Sequence, residues 1–224
     1  MYAPLLPDRV NGSGPLRRRQ ALARGIARTL GRLETVGLTN VPADGPVVIA
    51  VNHRSALDGL LLFGLLERPV NFLVKIEAFT PPIAPVLHSA AQVSVTRAHV
   101  DAAAIRLCVE ILRAGGVVGI FPEGSRGDGL VRTVKPGVGY LALRSGAAVV
   151  PVACHGTDGI RHRRSVRRPA ARMVFGAAVA VDRYPDHRAL NRRAVAAVTE
   201  QIRITLADLV SVTAREDPRR KAVA

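Results

Sequence analysis

Apolar positions in this chain follow two alternating rhythms. Val47–Val51, Val70–Val74, Gln92–Thr96, Val117–Phe121 and Ala148–Ala153 are short, largely apolar runs rich in β-branched residues, as in buried strands. Arg172–Val181 is a sixth candidate. Helical stretches lie between them: Ala56–Glu67, a short helix within the Pro-rich turn of 79–90, Asp101–Ala114 closed by Gly115 and Gly116, and Pro136–Arg144 closed by Gly146. Residues 188–214 read as a last helix and Arg215–Ala224 as a frayed polar tail. This alternation predicts one α/β unit, a mixed, mostly parallel sheet flanked by helices. No internal repeat or linker divides it.

The N-terminal part has a different pattern. Residues 1–15 are rich in Pro and Gly and read as a loose leader. From Leu16 to about Leu33 the spacing is helical: Leu22, Ile26, Leu30 and Leu33 share one face, and Arg17, Arg24, Arg28 and Arg32 lie opposite. An apolar stripe opposed by arginines fits an interfacial amphipathic helix, and equally a packed helix with a charged outer face. The expected division is therefore 1–34 as leader and basic amphipathic helix, 35–214 as the main domain, and 215–224 as tail.

Charge changes the picture further. Lys+Arg total 32 against 17 Asp+Glu in 224 residues, a net charge of +15, and 29 of the 32 are Arg. That surplus favours anionic partners: an acidic membrane surface, phosphorylated substrates or nucleic acid. Trp is absent and aromatics are 4%, which argues against single-strand nucleic-acid stacking. No apolar run of membrane-spanning length and no secretory signal are evident, so the expected place is the cytoplasm, peripheral on the inner face of the cell membrane. Cys108 and Cys154 form no metal spacing, and a reducing compartment follows as the default. His88, His99, His155, His162 and His187 lack ligand spacing too, so no metal or cofactor is expected. The run from Arg161 to Arg168 reads as a solvated basic loop, as a second patch for anionic lipid, or as a nucleic-acid contact that no binding motif accompanies.

Two short segments carry candidate chemistry. Asn52-His53-Arg54-Ser55-Ala56-Leu57-Asp58 lies where the first strand passes into a helix, and strand ends are where open α/β sheets bind ligands. With Ser55 as N-cap, Asp58 falls in the first helical turn and can lean back toward His53. A carboxylate on one imidazole nitrogen leaves the other free to take a proton. Phe121-Pro122-Glu123-Gly124-Ser125-Arg126-Gly127 ends the fourth strand, and its N–H groups and Arg126 could hold a phosphate or oxyanion. It lacks the spacing of a nucleophile elbow, so Ser125 is a poor nucleophile candidate. Lys75 and Arg97 end the second and third strands, on the same edge if the strands run parallel.

Taken in order, Asn-His-x4-Asp, the strand-end Arg97, Phe-Pro-Glu-Gly-Ser-Arg and Val150-Pro151-Val152 resemble the glycerolipid acyltransferase family, most closely bacterial lysophosphatidic acid acyltransferases. The resemblance covers about residues 35–185 and includes Lys-Pro-Gly at 135–137. It implies that His53 is the general base and Asp58 its orienter, with no acyl-enzyme. It places Arg97, Glu123, Gly124, Ser125 and Arg126 in acceptor binding, the two arginines on a lysolipid phosphate, with Lys75 a weaker match. The implied donor is acyl-CoA or acyl carrier protein, the implied acceptor lysophosphatidic acid, and no metal is needed. With an acyl-CoA donor, the basic run from Arg161 to Arg168 also reads as a patch for the CoA phosphates. An acyltransferase for another acceptor (glycerol 3-phosphate, a lyso-aminolipid or a lyso-glycolipid), and a non-catalytic basic module binding lipid or nucleic acid, are the alternatives. The chain departs from the family at Ala90-Ala91-Gln92, where a Gly is usual, and at Ser125, where Thr is more common.

Overall fold

The computed structural model describes residues 10, 12, 14–30, 32–96, 98, 100–158, 170–184 and 190–215. Seven strands form its sheet: β1 (Arg32–Val36), β2 (Val47–Val51), β3 (Val70–Lys75), β4 (Val93–Val95), β5 (Val117–Ile120), β6 (Ala148–His155) and β7 (Ala170–Phe175). Their spatial order is β1-β7-β6-β2-β5-β3-β4. Every pairing is parallel except β6 with β7. The mixed, mostly parallel sheet expected from the sequence is what the chain forms.

Strand β2 shows why its sequence reads as a continuous apolar run. Val47, Ile49 and Val51 pack into one core with Leu61, Leu62 and Phe72, while Val48 and Ala50 face a second core with Ile111, Leu112 and Leu141. A strand covered on both faces has no polar side to alternate with. The helices divide accordingly. On the first face lie α1 (Gly14–Leu30) and α2 (Leu57–Leu65). The other face carries α4 (Ala102–Arg113) and α5 (Gly137–Ser145), against which α6 (Arg192–Arg215) packs. A short α3 (Ala84–Ser89) precedes β4. Arg215, expected in the tail, closes α6, and 216–224 lie outside the described residues.

The N-terminal region differs most from expectation. Helix α1 stops at Leu30, and Arg32–Val36, read as the helix end and its exit, is an edge strand parallel to β7. The boundary drawn at residue 34 thus falls inside β1. Leu33 and Thr35 are half-buried while Glu34 and Val36 are exposed, a period-2 pattern only five residues long. The face of α1 that packs on the protein carries Leu16, Gln20 and Ala23 instead of the Leu22–Ile26 stripe. Gln20 is buried because its amide donates to the Arg68 and Leu66 carbonyls beyond the end of α2. Arg24, expected on the solvated face, donates from Nε to the Gly64 carbonyl at 2.8 Å. Leu22 and Ile26 remain exposed. The side chains of Arg28, Leu30 and Arg32 lie outside the described set.

At the departure noted above, Ala91 is buried at φ 59°, a left-handed conformation that glycine adopts without strain.

Candidate active site

The sheet brings the carboxyl ends of β2, β5, β3 and β4 to one edge, and the site is built there. Beyond Val51 the chain leaves β2 at Asn52, which is fully buried. Its Oδ1 accepts the Cys154 N–H at 2.6 Å, and its Nδ2 donates to the carbonyls of Gly129 (3.1 Å) and Cys154 (3.2 Å). One side chain thus ties the end of β2 to β6 and to the loop after β5.

The chain then turns so that Asp58 enters α2 in its first turn, as the spacing predicts. Ser55 is not the N-cap; that position is Ala56, and Ser55 Oγ accepts the Leu57 N–H at 3.3 Å. Asp58 Oδ2 accepts the N–H groups of Arg54 (2.9 Å) and Ser55 (2.8 Å) and lies 3.0 Å from His53 Nδ1. Asp58 is fully buried, and its Oδ1 has no partner. Because a carboxylate only accepts, the bond requires the hydrogen on Nδ1 and leaves Nε2 with its lone pair. The His53 ring stacks on Phe121 at 4.1 Å, and Phe121 stacks on Phe72 at 5.5 Å. Gly119 in β5 makes that ladder possible, since any Cβ there would enter the Phe72 ring.

The loop after β5 grips the same turn. Glu123 Oε2 accepts the His53 N–H at 2.8 Å and Oε1 the Val131 N–H at 3.3 Å. The Gly127 N–H donates to the His53 carbonyl at 3.1 Å. Arg54 donates to the Asp128 carbonyl at 2.7 Å and to Asp158 at 3.0 Å. Residues 52, 53 and 54 therefore hold residues 129, 127 and 128. Glu123, expected to bind acceptor, lies off the cavity wall with both oxygens on backbone N–H groups. Val131, buried at φ 55°, is an unusual conformation for a β-branched residue, and it sits where this loop leaves Glu123.

Gly124 does line the cavity. Its φ is 75°, and a Cβ would collide with the Lys135 stem laid across it. Ser125, Arg126 and Lys75 are also on the wall and exposed. Arg97 lies outside the described residues, as do His99, His162, His187 and the basic run 161–168.

The cavity measures about 1910 Å³. Sites for a single small molecule run to roughly 300–1,000 Å³, so this one has room for two substrates. His53 is on its wall, and the rest of the lining falls into two arms according to the elements that carry it. One arm lies against α1, α2 and α3 and is apolar: Leu22, Ile26, Leu60, Phe63, Ile83 and Val86. The other arm reaches the N-terminal ends of α4, α5 and α6. Six cations, Arg19, Lys75, Arg106, Arg126, Lys135 and Arg192, line the whole against one carboxylate, Asp101, among the described residues.

Other polar groups are structural. Cys154 is buried, and desolvation, with the nearby Asp58 charge, raises its thiol well above the ordinary value, so it is no nucleophile. His88 packs on Phe79 at 5.0 Å, and buried His155 bonds Thr213 Oγ1 at 2.7 Å. Among the described residues no three His, Cys, Asp or Glu gather as for a metal, and no helix is long and apolar enough to cross a membrane. The roles of Asn52, Arg54 and Gln20 had no sequence signal beyond proximity to the motif or a polar residue on a helix, because each is defined by a partner 40 or more residues away.

A family model described as Acyltransferase matches residues 32–155. The chain is 35% identical over 136 residues to a chloroplastic 1-acyl-sn-glycerol-3-phosphate acyltransferase of Arabidopsis thaliana, covering 58% of this chain and 37% of that protein. It is 30% identical over 131 residues to the 1-acyl-sn-glycerol-3-phosphate acyltransferase of Borreliella burgdorferi, covering 57% and 52%. To that of Bacillus subtilis it is 30% identical over 128 residues, covering 56% and 64%. The matched region thus spans between about a third and two thirds of these relatives. In fold it is similar to the crystal structure of a 1-acyl-sn-glycerophosphate acyltransferase from Thermotoga maritima, with a TM-score of 0.59, 20% identity and coverage of 86% and 80%.

Proposed function

The chain belongs to the Acyltransferase family, and from that premise we propose that it moves a fatty acyl chain from a thioester to the free hydroxyl of lysophosphatidic acid, giving phosphatidic acid. The observation that carries this reading is the His53–Asp58 pair, whose Nδ1 is engaged at 3.0 Å while the ring lines a cavity with one apolar arm and a surplus of cations.

In the reaction, His53 Nε2 accepts the proton of the acceptor hydroxyl as that oxygen attacks the thioester carbonyl. Asp58 stabilises the imidazolium through Nδ1–H. The tetrahedral intermediate collapses, the C–S bond breaks, and the imidazolium returns its proton to the departing thiolate. The new ester and free thiol balance the equation without an acyl-enzyme, in keeping with the shielded Cys154. The apolar arm suits the acyl chain. Arg126, with Lys75, suits the acceptor phosphate, which lies only a few bonds from the reacting hydroxyl. The donor is an acyl thioester of coenzyme A or of acyl carrier protein.

The same surface suggests where the enzyme works. Leu22, Ile26, Ile83 and Val86 are exposed at the apolar arm, and Arg17, Arg18 and Arg19 are exposed on α1 beside them. Apolar side chains flanked by arginines suit a peripheral seat on an anionic leaflet, at the inner face of the cell membrane.

The test is thiol release from oleoyl-CoA and oleoyl carrier protein, with and without lysophosphatidic acid. We expect acceptor-dependent release and a diacyl product, reduced about 10²–10⁴-fold in His53→Ala. Undiminished turnover by a folded His53→Ala protein would overturn the mechanism. Release that needs a different acceptor would overturn the substrate.

A further inference from the structure

The basic arm of the cavity has no part in the reading so far. It is bounded by the first turns of three helices: Asp101, Ala102, Ile105 and Arg106 of α4, Gly137 and Tyr140 of α5, and Asn191 and Arg192 of α6. Helix starts carry unsatisfied N–H groups and a positive partial charge. The starts of α4 and α6 are capped, by Asp101 on the Ala104 N–H (3.0 Å) and by Asn191 on the Ala194 N–H (2.8 Å). That of α5 follows Pro136, which offers no side-chain cap. The single carboxylate on this wall, Asp101, has its oxygens on the Thr96 and Ala104 N–H groups. Arg106, Lys135 and Arg192 are exposed, and their side chains make no hydrogen bond or ion pair with the described residues. Three unengaged cations and an uncapped helix start around one concave arm make an anion site.

Bond count decides which anion. On the acceptor, phosphate and reactive hydroxyl occupy neighbouring carbons, so the acceptor phosphate must bind close to His53. Arg126 meets that need, because the next residue, Gly127, bonds the His53 carbonyl. A thioester donor differs. Between its reacting carbon and its nearest phosphate lies the whole extended pantetheine chain. A donor phosphate therefore belongs on elements that do not carry the base but line the same cavity. Helices α4 and α6 are such elements, and Lys135, laid across Gly124, lines the same cavity.

Resting on the acyl-transfer reading, we infer that the arm between the starts of α4, α5 and α6 holds the phosphate of the donor's phosphopantetheine, through Arg106, Lys135 and Arg192. That phosphate is common to coenzyme A and to carrier proteins. Basic and apolar arms then divide one thioester substrate between them, head and chain, with the reacting carbon at His53.

Binding and turnover are measured separately, on the full chain. Calorimetry with free coenzyme A and with pantetheine needs no reaction. Arg106→Ala and Arg192→Ala should each weaken coenzyme A about tenfold, the scale of one charge-assisted contact, and Arg106→Lys should recover most of it. Pantetheine, lacking the phosphate, should bind wild type and variants alike. In turnover, KM for acyl-CoA, for acyl carrier protein or for both should rise by a similar factor, with KM for lysophosphatidic acid unchanged. The donor affected identifies the source of the phosphate. Equal weakening of pantetheine, a raised acceptor KM, or no change in coenzyme A binding would overturn the inference. Arg106-dependent binding of coenzyme A without transfer to any acceptor would leave this site standing and remove the acyltransferase reading instead.

Discussion

Between Asn52 and Asp58, Asn52 satisfies three backbone groups, His53 is held at its ring, its N–H and its carbonyl, and Asp58 accepts three bonds on one oxygen. Next to that turn on the cavity wall, Ser125, Arg126 and Lys135 extend exposed side chains that make no hydrogen bond or ion pair with the described residues. A proton-transfer group works only if its tautomer and direction are set before substrate arrives, so its supports are made within the fold. A binding cation gains by the opposite arrangement. An Arg already paired to a carboxylate would have to break that pair before meeting a phosphate.

This contrast can be broken by substitution. Asp58→Asn should have the largest effect: kcat falls about a hundredfold or more because Nδ1 loses its ionised partner. Stability falls with it, by roughly 1–3 kcal/mol, since two backbone N–H groups lose a charged acceptor. Thermal unfolding beside steady-state kinetics checks both, and a variant with full kcat would remove the distinction. Arg126→Ala should come next, raising KM for the phosphorylated acceptor about tenfold with kcat and melting temperature nearly unchanged. A loss confined to kcat would place Arg126 with the fixed group instead. Glu123→Gln should have the smallest effect and is the sharpest test, because the family resemblance implies a binding role for Glu123 and the geometry gives it a bracing one. The amide keeps one acceptor, so kcat should fall only severalfold, with the acceptor KM unmoved. A selective rise in that KM would return Glu123 to acceptor binding.

Glu123 also marks the limit of sequence reading. The order of strands and helices was legible because β2, β5 and β6 are apolar on both faces and end in Gly- or Asn-rich turns. The His53–Asp58 pair was legible because its geometry is local: a strand end, a turn and the first turn of a helix fix a five-residue separation. Glu123 stands beside Gly124 and Arg126 in sequence, yet its partners are the N–H groups of His53 and Val131, and motif spacing carries no direction for a side chain. The same holds for α1. Leu22 and Ile26 form the stronger apolar stripe, but the helix is seated by Leu16, Ala23 and the amide of Gln20, whose acceptors lie beyond α2. β1 was missed because Leu33 fits a helical spacing as well as a strand's, and five residues are too few to decide.

The placement of β2 has a consequence for how the chain folds as it is made. The central strand is made early, but its neighbours are made late: Val47 pairs with Val117 on one side and Ala148 on the other. Asn52 finds its anchor only at Cys154. On a ribosome, apolar β2 waits for the roughly 70 residues that separate Val47 from Val117 before it has a sheet partner, and Asn52 waits 102 residues for Cys154. Long-range pairing of this kind is slow, and the waiting chain is open to aggregation. The turn that carries His53 and Asp58 therefore gains its full set of supports only once β6 has been made, and a product that stops short of β6 lacks both the Val47–Ala148 pairing and the Asn52–Cys154 tie.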